Sequence, residues 1–529
     1  MRFLKRCWQR RWIRGFAWTL ITLFTLIALV TVWVDWYGAR RLRKVKAALA
    51  GKGQSFDLRD ASPDPIPDAD NFCAIPLLKN LILASDGDGT TSGPARNRVR
   101  LHTATEVLST TWIPPGPGSH RGRNIAPPPK ITGVQTGQLP DLNAWAAWLR
   151  EKGLTANSGD AARDVLKDLS YGDSVFKELV AGLDRPEAQW TPAWKTRDLP
   201  RNLFSVALPH LTEAQRLTRT LSLRCAAAAR AGDALQAHEC AMISARLEDA
   251  TIEEPFLIGM LVAAANAAHL ANDIWELCDA PLGAAADFRR LESPLAAVDF
   301  RQATCRAYSA ELISAVSAAQ MVKEYPGILF GDFGQPEAES HRVRNLAVRC
   351  IPSGFFDANA AFLADFEFDY LVEPLRDHGW QAGLDASHQA ETALKDLKSK
   401  QWTHPSSIMA DLVAPSVAGV IHRAIYAQTL VNQALIACAL ERYRIANGSY
   451  PDSLDNLTLA DGKPLPTEVL SGKPMSYRKT PNGKYALWSV SFDGINHGGQ
   501  RALDKANPEG TRFWLESYKG DWVWDFPDK

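Results

Sequence analysis

Carboxylates are the side chains of this chain best placed to do chemistry. If residues 357–375 form a helix, Asp365, Asp369 and Glu373 fall at i, i+4 and i+8 and share one face. Like charges so placed repel by a few tenths of a kcal/mol per pair. A bound cation or acid–base work would explain them, but a solvated face backed by Phe362, Phe366 and Tyr370 is the preferred reading. The run Asp365–Tyr370 also alternates with period two, which leaves a strand open. His238, Glu239 and Cys240 make the only dense trio of metal-binding types, yet consecutive helical positions point about 100° apart and do not converge. Glu253-Glu254-Pro255 reads as a helix start, since proline suits the first turn and acids favour its dipole. Asp86 and Asp88 open like a calcium loop, but Thr91 and Asn97 at positions six and twelve exclude an EF-hand. The zinc-peptidase, phosphate-loop, dinucleotide-binding and nucleophile-elbow motifs are all missing from the sequence.

The eight cysteines include no Cys-x-x-Cys pair and are irregularly spaced, which argues against a zinc ribbon or a thioredoxin-like site. Cys225 and Cys240 are special in one respect. The stripe Leu217, Leu221, Cys225, Ala228 is answered beyond Gly232-Asp233 by Ala237, Cys240, Ser244 and Leu247. An antiparallel hairpin turning there sets the two cysteines across one helix interface, where they are candidates for a disulfide and otherwise a pair of buried thiols.

Those positions must be held by elements, and helical patterning dominates from Asp141 onward. Leu142, Trp145, Trp148 and Leu149 line one helix face; further patterns cover 160–183, 212–279, 295–324 and 357–375. The hairpin around Ala-Arg-Ala-Gly-Asp-Ala-Leu-Gln-Ala resembles one tetratricopeptide-type unit, with no second copy at a fixed period. Upstream, Gly15 to Val34 is uncharged and, at about 1.5 Å per residue, spans a bilayer's hydrocarbon core of roughly 30 Å. Trp12 and Trp18 near one end, with Trp33, Trp36 and Tyr37 near the other, suit an interfacial aromatic belt. Its length and the lack of a small-residue cleavage site point to an uncleaved anchor rather than a signal peptide. Six basic residues precede this segment and five follow it, nearly a tie for orientation. Beyond Lys46 there are 48 basic and 58 acidic residues, a net −10, which makes nucleic acid an unsuitable partner.

The C-terminal region has a different grammar. A long apolar helix over 420–447 stops at Asn447-Gly448 and is followed by Ser449-Tyr450-Pro451. Asn482-Gly483 then divides two strand-like runs, 475–479 and 484–490, as in a hairpin. The chain closes with Ser489 to Gly494, ending in Asp493-Gly494, and with Asp521-Trp522-Val523-Trp524. This succession resembles the C-terminal half of the major pseudopilin of type II secretion systems, Tyr443 to Pro451 matching its first element. The whole chain also resembles a class of uncharacterised bacterial single-pass membrane proteins bearing such a tail. The resemblance implies a small α+β module, exposed outside the cytoplasm, and a calcium site at Asp493 and Asp521, against the alternative that Asp493-Gly494 and Asn496 only shape a tight turn. Departures are Glu468-Val469 where the family has Asp-Pro, and some 380 residues between the apolar segment and the module. Leu20 also stands where a prepilin-type site would carry an acid.

The sequence therefore predicts a mainly α protein with five parts: a basic N-terminus (1–14), a transmembrane anchor (15–37), a juxtamembrane helix with a Pro/Gly-rich linker (38–140), a helical body (141–415) and the pseudopilin-like module (416–529). The expected role is non-catalytic assembly or partner binding in the envelope, with the bilayer and other proteins as partners. The anchor would lie in a bacterial inner membrane, N-terminus inside. The alternative is an envelope hydrolase using carboxylates of the helical body. No cofactor other than that calcium is expected.

Overall fold

The computed structural model describes residues 11–84, 93–108, 126–154, 156–199, 203, 206–282, 287–322, 348–399, 407, 419–501 and 520–527. The Asp86-Asp88 stretch and the side chain of Trp12 lie outside the described set.

Helix α1, Arg11–Gly51, runs 41 residues without a break, through the Trp36–Arg40 stretch where a signal peptide would end. Its apolar half is left uncovered by the described residues: Phe24 is 74 % and Leu29 61 % exposed, and Trp18, Trp33, Trp36 and Tyr37 are exposed as well. Thr19, Thr25 and Thr31 each donate their hydroxyl to the carbonyl four residues back, at 3.0, 2.8 and 2.9 Å, so these three polar groups are satisfied within the helix. By length and apolarity it can cross a membrane. Beyond Val34 the helix changes character. Gly38, Leu42, Val45 and Leu49 recur on one face and are buried against the body.

The body is built from helix pairs. In chain order, α2 (Gly93–Thr105), α3 (Leu142–Glu151), α4 (Ala161–Asp168) and α5 (Asp173–Ala181) form its first layer. Asp141 and Asp160 cap α3 and α4, each accepting main-chain N–H bonds of the first turn. The stripe Leu142, Trp145, Trp148 and Leu149 is buried together with Val165 and Leu223, as its spacing predicts. Helices α6 (Pro209–Ala231) and α7 (Ala234–Ile252) form the expected hairpin. Gly232 takes φ 81°, a left-handed stop that favours glycine, and Asp233 caps α7 through Gln236 N at 3.1 Å. Helix α8 (Leu257–Asp279) packs on both and is apolar enough to span a bilayer, yet Met260, Ile274 and Trp275 are wholly buried. It is a core helix.

Helices α9 (Phe288–Ala297) and α10 (Phe300–Met321) continue the stack. Helix α11 (Ser353–Glu367) then passes through a π-helical turn at Phe368–Val372 into α12 (Glu373–His378). The strand alternative for 365–370 is thereby corrected. Phe366 and Phe368 are buried on a helical surface, and packing of α11 against α1 and α10 outweighs a short alternating run. Helices α13 (Trp380–Ser399) and α14 (Val420–Asn447) complete the helical set. Strands β1 (Ser476–Lys479), β2 (Tyr485–Val490) and β3 (Asp521–Trp524) form one antiparallel sheet in that order. The β1–β2 turn is at Asn482-Gly483, with Gly483 at φ 77°.

Two stretches that the sequence sets apart pack closely against the helical body. The stretch assigned to a linker puts Phe72, Leu77, Leu78 and Leu81 fully into the core. Phe72 N donates to Glu187 O at 2.8 Å and Glu187 N to Asp70 O at 3.0 Å, a bridge that seats this stretch. The prolines at 63, 65 and 67 shape an extended approach to that seat rather than a free tether. The C-terminal helix is likewise not free: α14 is buried along Val420–Glu441 and packs against α8, α9, α10 and α13.

Candidate functional site

The most specific arrangement is the junction where α1 leaves its apolar half. Asp35, the sole acid among the first 46 residues, accepts from Gly354 N at 2.7 Å and from Ser353 Oγ at 3.0 Å. It therefore satisfies orphan donors at the start of α11. One turn on, Gly38 and Gly354 meet backbone to backbone: a Cβ on Gly38 would stand 1.9 Å from Gly354 O, and one on Gly354 2.0 Å from Val34 O. Only glycine permits that approach at both positions. Further up, Lys52 Nζ lies 2.9 Å from Glu373 and 4.0 Å from Asp369. Contacts at 35/354 and at 52/373 are about equally far apart on each chain segment, so α1 and α11–α12 run side by side in the same direction.

The acidic stripe thus has a structural occupant. Lys52 sits over Asp369, Glu373 and the Phe368 ring, 5.1 Å from its centroid, and hydrogen bonding to Glu373 raises its pKa. Burial raises Asp365 and Asp369 above the usual carboxylate range, with Arg41 and Lys52 opposing that shift at Asp365. Among the described residues no group of three or more His, Cys, Asp or Glu side chains is placed to hold a metal ion.

Several interior acids escape sequence reasoning because nothing in their local pattern marks them as buried. Glu254 does start a turn before α8, but its side chain points inward. It accepts from Trp194 Nε1 at 2.9 Å and lies 3.2 Å from His210 Nε2, with His210 fully buried. Asp273 accepts from Ser244 Oγ at 2.8 Å and is pushed up to about 7 by burial. Glu367, on α11, is fully buried with neither carboxyl oxygen hydrogen-bonded. Burial, and then Glu311 on α10, holds it well above the usual range, and burial pushes Glu311 up to about 7. Glu276 receives Arg230 Nη2 at 3.0 Å on both oxygens and is also pushed up to about 7 by burial. These last two residues, with Asp279 and Leu282, line a cleft of about 550 Å³.

Cys225 and Cys240 are both fully buried on the facing sides of α6 and α7, and both are free thiols. No bond joins them here, and Cys225 Sγ faces the carbonyls of Ala237 at 3.4 Å and Asp273 at 3.7 Å. A thiol donating to main-chain oxygen is already satisfied, and burial raises both thiols well above their ordinary pKa. His238 Nε2 donates to Asp287 O, 3.0 Å away, apart from Cys240.

In the C-terminal sheet, Asp493 and Asp521 are brought to either side of His497, at 3.7 and 3.8 Å. Their oxygens are engaged by the chain itself. Asp521 accepts from His497 N at 3.1 Å and Gly499 N at 2.8 Å, and Asp493 from Ile495 N at 2.9 Å. A carboxylate ringed by N–H donors is an organiser of a glycine-rich loop. The sheet is sewn to the helices by Trp275 Nε1 of α8 donating to Asp525 O, and by Gln433 Nε2 of α14 donating to Trp522 O, both at 2.8 Å.

No family model, curated protein or solved structure matches this chain.

Proposed function

We propose that this is a single-pass protein of a bacterial inner membrane, N-terminus inside and body on the periplasmic side, acting as a non-catalytic platform for protein partners. The observation that carries this reading is the unbroken passage of α1 from an exposed apolar span into the core of the body, locked by Asp35 and the Gly38–Gly354 contact. An enzyme tethered only for localisation needs no such fixed orientation, whereas a platform presenting a surface at a set height above the bilayer does. The pseudopilin-like succession from Tyr443 to Trp524 supports placement outside the cytoplasm. Burial of α14 within the body argues against incorporation in a filament through that helix. The hairpin of α6 and α7 is of the tetratricopeptide type in its small-residue interface, a form suited to stacking on neighbouring helices.

Crosslinking in intact cells, followed by identification of captured proteins, tests the platform reading; recovery of the same partners with Gly38→Leu, which should tilt the body, would count against it. The cleft at Arg230 and Glu276 favours one second reading, an envelope hydrolase using carboxylates of the body. A hydrolytic activity lost in Glu276→Gln but retained by Gly38→Leu would support that reading instead.

A further inference from the structure

The part of α1 just beyond its apolar span carries five basic residues, Arg40, Arg41, Arg43, Lys44 and Lys46. They divide into two sets. Arg41 and Lys46 are only half exposed and sit near acids of α11, Asp365 and Asp357 respectively. Arg40, Arg43 and Lys44 are exposed on the side of α1 away from the buried Gly38, Leu42 and Val45. Among the described residues none of these three forms an ion pair.

Their direction is set by the helix. Side chains on an α-helix lean toward its N-terminus, and here the N-terminus lies toward the apolar span. Arg40 reaches back one turn to lie over the Trp36 ring, 5.3 Å from its centroid. Arg43 Nε likewise turns back to donate to Ala39 O at 3.3 Å. At about 1.5 Å per residue, Trp36 and Ala39 stand roughly 3 and 8 Å beyond Val34. The polar headgroup layer extends about 5–8 Å outside the hydrocarbon core. Both guanidinium groups therefore fall at headgroup depth, with Lys44 one position beyond Arg43 and able to snorkel the same way.

We propose that Arg40, Arg43 and Lys44, with Trp36, form a collar that binds the phosphate groups of anionic phospholipids in the leaflet beneath the body. The inference rests on reading α1 as a membrane span. It also answers a physical difficulty of that reading. The chain beyond Lys46 carries a net −10 and would be repelled by an anionic surface held close beneath it, and the positive collar between the two offsets that repulsion.

The test uses the full chain in phosphatidylcholine vesicles containing a trace of spin-labelled phosphatidylcholine or phosphatidylglycerol, reading the motionally restricted fraction of each. The expected result is preferential restriction of phosphatidylglycerol at low salt. Loss of roughly fivefold in relative association is expected per neutralised residue, from the ~1 kcal/mol a basic side chain gains near an anionic surface. Arg40→Gln/Arg43→Gln/Lys44→Gln should remove the part of the preference that arises beneath the body, leaving that of the six basic residues before the span, and Arg11→Gln/Arg14→Gln should retain the collar's part. Equal restriction of both lipids by the wild type, or an unchanged preference in the triple variant, would overturn the collar while leaving the span intact. Absence of any restricted lipid would overturn the span itself, and the collar with it.

Discussion

Replacing Gly38 by alanine isolates the junction better than any other single change, because α1 offers its own control. At Gly38 the added methyl carbon would lie 1.9 Å from Gly354 O and 2.5 Å from Gly354 C. Ordinary contact needs about 3.4 Å or more between such atoms, so α1 and α11 must separate by roughly 1.5 Å near their closest approach. Both obstacles are main-chain atoms, which cannot rotate aside. Overpacking of this kind costs about 1–3 kcal/mol, set against the ~0.5–1 kcal/mol that alanine gains over glycine within a helix. At Gly51, the last residue of the same helix, nothing stands within 4 Å of an added Cβ. Gly51→Ala should therefore be neutral or slightly stabilising, and Gly38→Ala destabilising on balance. Thermal melting of the full chain in one detergent, with both variants side by side, gives the comparison. A Gly38→Ala protein that melts with or above Gly51→Ala would refute the close crossing and the fixed body with it.

Further outcomes follow from the interior acids and thiols. Glu367 holds its proton in the folded state far above the pH at which it ionises when unfolded, so its contribution is full below about pH 4.5 and is lost as pH rises through the folded value. Glu367→Gln should accordingly raise Tm at pH 8, because the amide needs no proton taken up to enter the core, and the gain should shrink toward pH 4.5. Thiol labelling of the native protein should modify the exposed Cys350 and spare Cys225 and Cys240 until the chain is unfolded, with no change in mobility on reduction. Calcium against chelator should leave Tm unchanged, while Asp521→Ala should lower it by about 1–3 kcal/mol equivalent, since two main-chain N–H groups would lose their acceptor.

Local periodicity carried the helices well, and the reasons are visible in particular residues. The stripe from Leu142 to Leu149, the Gly232-Asp233 turn and the Asn482-Gly483 hairpin each combine an apolar pattern with a residue whose backbone preference agrees with it. The junction of α1 with α11 was harder to see because its contacts are long-range: Asp35 and Gly354 are 319 positions apart. One signal was nevertheless present, a lone acid set among eleven basic residues. Burial of Glu254, Asp273, Glu276 and Glu367 left no such trace, since a carboxylate's partner in the core comes from another helix. The prolines at 63, 65 and 67 misled in the opposite sense. They mark extended backbone, and extended backbone here is seated in the core through Phe72 and Leu78.

The central claim is that α1 is an uncleaved span holding the body outside the cytoplasm. The most direct measurement is protease treatment of sealed spheroplasts carrying a short epitope at each end of the chain. The account predicts loss of the C-terminal epitope with an N-terminal epitope that stays protected, on a fragment retaining the apolar half of α1. Full resistance of the body until the membrane is permeabilised, or an N-terminal epitope absent from the mature protein, would contradict it.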